Sequence, residues 1–169
     1  MTHFERKAGG ARVDVGGSSK KVEPAPFVIL ADTREQAIPP FPEGVVVERR
    51  ILKEADYSTP ALVEVARLER KSVTDFASTL SWGRERFDRE VQRLQTYRWK
   101  CVVVEGNITD TYRVSAMHPH AIIGSIASMY ARWEVPTLFA GNEAGCGRLI
   151  AGLLRRWQER FTAEGGAAA

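Results

Sequence analysis

Glu69-Arg70-Lys71 sets a carboxylate and an ammonium two residues apart, directly after an apolar-rich run over residues 62–68. On a strand, alternate side chains leave the same face, so Glu69 and Lys71 would share one. Asp75 follows four residues after Lys71, and two further acidic segments precede the run: Asp32-Thr33-Arg34-Glu35 and Ala55-Asp56-Tyr57. A lysine beside a carboxylate, facing other carboxylates, suits metal-assisted hydrolysis of a phosphodiester. The carboxylates hold a hard divalent cation, and the lysine polarises water or steadies the charge developing on phosphorus.

Each acid on its own also has a structural role open to it. Asp32 can cap a turn with Thr33, Asp56 can fix an Asx-turn, and Asp75 suits the first turn of a helix. Glu69 and Lys71 can form a weak ion pair on a solvated strand face. The combination points elsewhere. Asp32, Asp56 and Glu69 each stand late in, or at the end of, an apolar strand-like run. Neighbouring strands deliver their ends to one place, and three carboxylates meeting there repel unless a cation neutralises them.

The elements that must bring them together can be read from the pattern. Residues 27–31 are a short continuous apolar run, as in a strand buried on both faces, and it ends at Asp32. Pro39-Pro40-Phe41-Pro42 reads as an extended loop. Residues 45–47 open a second strand running towards Leu52 and then Asp56, Ser58-Thr59-Pro60 reads as a turn, and a third strand is expected over 62–72. A short helix over 74–80 is followed by a break at Trp82-Gly83 and a longer helix over 84–97. In the longer helix Phe87, Val91 and Leu94 form one buried stripe, and Arg86, Arg89 and Arg93 fall largely on the remaining surface. Strands over 101–105 and 135–140 and helices over 118–133 and 147–161 complete the pattern. Strands first, then strands alternating with helices, imply an α/β fold, a three-layer α/β/α sandwich around a mixed central sheet.

With 169 residues, 44% hydrophobic and 27% charged, the chain suits one soluble domain with a real core. The expected organisation is a disordered basic arm over 1–25, the working domain over 26–162 and a frayed tail over 163–169. The net charge is +3 and the pI about 9.0. Basic residues cluster: 81–100 hold six Arg or Lys against three acids, and 147–161 hold four Arg against one Glu. Such patches permit nucleic-acid binding. Cys101 and Cys146 form no disulfide framework, and no Cys/His group has zinc spacing. His118 and His120 read as part of a helix start. No segment is apolar for long enough to span a bilayer, and none resembles a signal peptide, so a cytoplasmic location without membrane contact is expected.

The residues also resemble a known family. Glu69-Arg70-Lys71-Ser72-Val73-Thr74-Asp75 resembles the E-R-K-x-x-x-D core of the xeroderma pigmentosum group F (XPF) family of structure-specific DNA endonucleases. Asp32-Thr33-Arg34-Glu35 is similar to that family's D-x-R-E segment, and Asp56-Tyr57 to its G-D-Y motif. The run from Arg86 to Leu94 is similar to its R-F-x-x-[QE]-x-x-R-L helix. The likeness implies a restriction-endonuclease-like fold, dependence on Mg²⁺ or Mn²⁺, and cleavage of branched DNA such as flaps, forks or nicked junctions. Asp56 and Glu69 would be metal ligands, with the carbonyl of Arg70 as a further donor and Asp32 as a third acid. Lys71 would orient or deprotonate water, and Arg34, Glu35, Arg70 and Asp75 would support these groups. DNA contacts are expected from Arg84, Arg86, Arg89 and Arg93. Two departures stand out. Ala55 occupies the place of the family's glycine, which matters where the backbone takes a positive φ. Nothing here resembles the helix-hairpin-helix pair common in the family, so a minimal bacterial or phage-like form, or DNA targeting by a partner protein, is expected. The apolar stripes of the helices over 118–133 and 147–161 have two readings, packing on the sheet or a homodimer interface, with Trp133, Leu153, Leu154 and Trp157 as the candidate contacts. The alternatives are a restriction-like or DNA-end-processing nuclease of the same fold, and a non-catalytic DNA-binding subunit.

Overall fold

A six-stranded sheet in the order β2-β1-β3-β4-β5-β6 carries the molecule. The computed structural model describes residues 25–166, so the arm expected before Ala25 and residues 167–169 lie outside the described residues. Strand β1 (Phe27–Asp32) pairs parallel with β2 (Val45–Arg50) and antiparallel with the two-residue β3 (Tyr57–Ser58). Strand β3 also pairs antiparallel with β4 (Ala66–Ser72), which is parallel to β5 (Trp99–Glu105), itself parallel to β6 (Thr137–Phe139). Only β3 runs against the others, so the carboxyl ends of β1, β4 and β5 and the start of β3 lie along one edge.

Helices cover both faces. On one, α1 (Val73–Leu80), α2 (Arg84–Leu94) and α4 (Pro119–Trp133) pack Phe76, Phe87, Val91 and Ile122 against Val102 and Val104. On the other, α5 (Glu143–Ala163) packs Cys146, Ile150 and Leu154 against Cys101 and Val103. The alternation along β5 divides the two cores, as expected of a strand buried on both faces. The three-layer α/β/α architecture read from the pattern is the one observed.

Several boundaries differ from the pattern reading. Strand β4 starts at Ala66, because Pro60–Leu62 forms a 3₁₀ turn with proline at its start. Ser58 belongs to β3, a strand too short to leave a periodicity. Helix α3 (Ile108–Val114) was not anticipated; Asn107 and Asp110 close a reciprocal cap at its start. Helix α2 ends at Leu94. Helix α5 begins at Glu143, where the Asn142 side chain accepts the Gly145 N–H, so Cys146 and Gly147 lie inside it. A Cβ on Gly147 would stand 2.0 Å from the Pro40 carbonyl oxygen, so glycine here lets α5 lie against the proline loop. Within the described part of the expected tail, Gly165 at φ 83 and the Gly166 N–H, which donates to the Phe161 carbonyl, close α5.

The apolar residues picked out on the last helices are largely core. Leu154 is fully buried, and Trp133, Leu153 and Trp157 are half-buried against the two clusters. The exposed apolar surface on that side belongs to Ile123 and Tyr130 of α4, which form a groove with Phe139 of edge strand β6. Among the described residues no helix is long and apolar enough to cross a membrane.

Candidate active site at the carboxyl ends of β1 and β4

The short strand β3 brings the acids together. The Asp32 N–H donates to the Asp56 carbonyl at 2.7 Å, and the Asp56 N–H donates to the Leu68 carbonyl at 3.0 Å. Tyr57, fully buried and edge-on to Phe41, is opposite Leu68, so Asp56 comes to stand beside Glu69. Its Oδ2 accepts the Arg70 N–H at 2.8 Å, which fixes the carboxylate on the backbone of the Glu69-Arg70-Lys71 segment.

The turn into β3 requires a left-handed residue: Ala55 has φ 59. A Cβ makes that conformation unfavourable, which accounts for glycine in the family pattern at this place. Ala55→Gly is therefore expected to stabilise the fold by about 1 kcal/mol, a rise in Tm of about 3 °C. Thermal unfolding checks it, and an unchanged or lowered Tm would show that the turn carries no strain.

Burial raises Asp56 most, the charge of Glu69 raises it further, and the Arg70 N–H only partly offsets them, so its pKa is pushed up to about 8. Glu69 is raised as well, by burial first, with Glu90 and Glu35 adding to it against the pull of Lys71. Burial and mutual repulsion therefore favour the neutral form of both carboxyls, a preference that a bound cation would oppose. The Lys71 Nζ lies 2.9 Å from Glu69 Oε1, 3.8 Å from Glu90 Oε2, and 5.2 Å from the Phe87 ring centre. Burial alone would lower Lys71, but Glu69, Glu90 and Asp56 outweigh it and hold it above the usual lysine range. An ammonium so held is a hydrogen-bond donor.

Alternation sends Arg70 to the other face. There its guanidinium donates twice to Glu105 and lies 3.6 Å from Glu35, tying the ends of β4 and β5 to the segment after β1. Glu35 and Arg70 thus hold the site's framework. Asp75 sits in the first turn of α1, where it accepts from the Ser72 hydroxyl at 2.7 Å while its N–H donates back at 3.0 Å. That reciprocal cap anchors the junction immediately after Lys71.

Asp32, expected as a third acid of the site, has its oxygens engaged by neighbouring donors. Its Oδ1 accepts the Arg34 N–H at 2.8 Å and Nε at 2.6 Å, and its Oδ2 accepts the Leu52 N–H at 2.7 Å. The carboxylate is 1% exposed, and although burial alone would raise it, these donors hold it below the ordinary range. Asp32 and Arg34 lock the segment after β1 to the segment after β2.

Asp56, Glu69 and Glu90 line a cleft of about 240 Å³ whose rim carries Lys53, Arg86 and Arg93. Glu90 and Lys53 were not picked out from the sequence. Glu90 lies three residues after Phe87, on the flank of the buried stripe, and fills the [QE] place of the family's helix motif, so spacing and motif were both available signals. The four α2 arginines part ways. Arg84 donates to the Ser125 hydroxyl at 2.8 Å and lies 3.4 Å from Asp88, so it braces α2 on α4. Arg86 and Arg93 pair with Glu90 and Glu54 at the cleft, each at least half exposed. Arg89 is exposed and makes no ion pair among the described residues.

Among the described residues no three Asp, Glu, His or Cys side chains converge as a ready-made metal cage. Two neighbouring carboxyl groups that burial and repulsion hold back from ionising fit Mg²⁺ or Mn²⁺ in another way. Mg²⁺ is typically held by one or two carboxylates while water and substrate phosphate supply the remaining oxygens. The residues present therefore suit a hard divalent cation on Asp56 and Glu69.

Comparison with known proteins agrees with this layout. The model of the ERCC4 domain family matches residues 31–153. Among solved structures, XPF from Aeropyrum pernix is 24% identical with a TM-score of 0.65, over 77% of this chain and 61% of that one. The structure titled XPF from Aeropyrum pernix, complex with DNA, is 23% identical with a TM-score of 0.66, over 79% and 66% of the two chains. At these identities the likeness speaks for the fold, and the chain spans about three fifths to two thirds of the length of those structures. No curated protein matches the chain.

Proposed function

The chain belongs to the ERCC4 domain family and has the fold of the XPF nuclease domain, and on that footing we propose that it is a metal-dependent endonuclease that cuts branched DNA. The observation that carries this reading is the buried Asp56–Glu69 pair, raised in pKa, with a charged lysine 2.9 Å from it. Asp56 and Glu69 would hold a divalent cation, which when bound would supply neutralisation of the scissile phosphate and of the leaving oxygen. Lys71, held charged, aligns water and stabilises negative charge gathering on phosphorus. Arg70 keeps β4 and β5 in place, and its N–H keeps Asp56 aimed at the cleft. Arg86, Arg93 and Lys53 offer phosphate contacts at the rim, which position DNA without reading its sequence. A non-catalytic subunit gains nothing from keeping two carboxylates together at a cost in stability, and this weighs against the binding-module alternative.

The DNA-binding residues, a targeting partner protein and pairing of two copies all belong to this proposal. For pairing, the support is the groove of Ile123, Tyr130 and Phe139 beside the open edge of β6.

End-labelled flap, fork, nicked-junction and plain duplex substrates with Mn²⁺ or Mg²⁺ provide the test. Cuts close to the branch, few in plain duplex and none in EDTA, are expected. Equal cutting of plain duplex would favour the restriction-like alternative. No cutting of any substrate with either metal would overturn the reading.

A further inference from the structure

Trp82 is 95% exposed, whereas Trp99 stacks on Trp157 at 6.4 Å and Trp133 packs against the core. A lone exposed apolar residue is ordinary on a protein surface, so exposure by itself says little. The surroundings say more. Trp82 sits between α1 and α2 in a turn fixed from both sides: Ser81 Oγ donates to the Ala77 and Ser78 carbonyls at 3.1 Å, and the Gly83 N–H donates to Ser78 at 3.1 Å. The indole is held out on a braced backbone.

Trp82 also borders a cleft of about 330 Å³ whose inner wall is Lys71, Glu90 and Phe87, residues of the candidate site. Arg86, Phe87 and Glu90 line both this cleft and the one over Asp56 and Glu69, so the two adjoin. The acids here are already engaged: Glu90 with Arg86 at 2.9 Å, and Asp75 with Ser72. Arg86, 83% exposed on its side chain, and the exposed Arg89 stand on the first turns of α2, which begins two residues after Trp82.

We propose that Trp82 is a stacking platform for an unpaired nucleobase of the DNA strand entering the Lys71 cleft, with Arg86 and Arg89 holding the adjoining phosphates. This rests on the nuclease reading and narrows its substrate to DNA with a single-stranded segment beside the cut. The occupant follows from chemistry. Around Trp82 the cleft wall is Ser78, Thr79 and Gly83, with no second exposed apolar side chain. A protein partner would bury one ring in a polar rim, far from the clustered anchors of an interface. A base needs one ring face and a nearby cation for its phosphate, and both are present.

The test is binding in EDTA, where nothing is cut. Addition of oligothymidylate should quench tryptophan emission, and Trp82→Phe should remove most of that quenching. By anisotropy of labelled oligothymidylate, Trp82→Ala should bind about tenfold more weakly, and Trp82→Phe should recover part of the loss. Affinity for blunt duplex should stay within about twofold in both variants. Circular dichroism guards against misfolding. Wild-type affinity for oligothymidylate in Trp82→Ala overturns the proposal, as does an equal loss on duplex, or a change only in oligomeric state, which would mark Trp82 as a protein contact. These outcomes leave the nuclease reading standing if the wild-type chain still cuts branched DNA. Failure of the wild-type chain to cut any substrate counts against that reading instead.

Discussion

Glu69→Gln is expected to lower the rate of strand cleavage about a thousandfold or more while DNA affinity stays within about twofold. The substitution keeps the side chain's length and leaves an oxygen that can still accept from Lys71, now 2.9 Å away. What it removes, on the metal-dependent reading proposed above, is the negative charge that with Asp56 would hold a divalent cation in the cleft. Losing one of two carboxylate ligands raises the barrier by several kcal/mol, because the charge on phosphorus is then no longer balanced. DNA affinity is expected to persist because the rim cations Arg86, Arg93 and Lys53 are untouched. Single-turnover cleavage of a flap substrate and anisotropy on the same DNA separate the two quantities. Cleavage within tenfold of wild type would remove Glu69 from the chemistry. A parallel loss of binding would make it a DNA contact.

Metal-free protein is expected to lose stability as pH rises from about 4 to about 8, and Mg²⁺ or Mn²⁺ to restore it most at the upper end. The sign follows from Asp56. In the unfolded chain its carboxyl ionises near the ordinary 3.8, whereas in the fold burial and the charge of Glu69 hold it protonated to about 8. The folded state therefore binds more protons across that window. Its advantage is complete below the unfolded value and gone once pH passes the folded one. Glu69 is shifted the same way and adds to the slope. Asp32 is shifted downward, so its contribution is lost on acidification and falls in a separate, more acidic window. Asp56→Asn should flatten the profile, raise the metal-free Tm at about pH 8 by several degrees, and abolish the stabilisation by metal. Thermal unfolding across pH, with EDTA or with Mn²⁺, reads all three effects. A metal-free Tm that climbs from pH 5 to 8 would show that the two carboxylates are not crowded together.

The arms of the site were legible to different degrees. Glu69 and Lys71 could be paired from sequence because a strand puts alternate residues on one face, and β4 does so. Asp75 as a cap was likewise readable, since Ser72 stands three residues before it. Glu90 fills a motif place, but its position in the cleft depends on how α2 lies on the sheet. The α2 arginines looked alike in the helix pattern, yet Arg84 turns to Ser125 of α4 and Arg93 to Glu54 of the β2–β3 segment. Periodicity says which side of a helix faces out, not what stands across from it.

Asp32 shows the same limit. Its position at the end of a strand was plain, but the use of its oxygens depends on Arg34 curling back and on the Leu52 N–H arriving from beyond β2. Ala55 differs again: the motif marked the residue, and the sheet set its backbone, since β3 can reach both β1 and β4 only through a left-handed turn.

The chain's own order of residues determined the layered fold, the faces of its strands and helices, and a carboxylate and a lysine on one strand, since all of these arise from contacts close along the backbone. The tertiary structure alone decided that Asp56 stands against Glu69, that Asp32 and Arg84 are occupied elsewhere, and that Trp82 is held out beside the cleft. The Asp56–Glu69 pairing, the Leu52 bond to Asp32 and the Ser125 bond to Arg84 depend on partners far apart in sequence, whose distances exist only once the sheet has closed. The cleft beside the locally braced Trp82 turn is likewise a product of the packed elements.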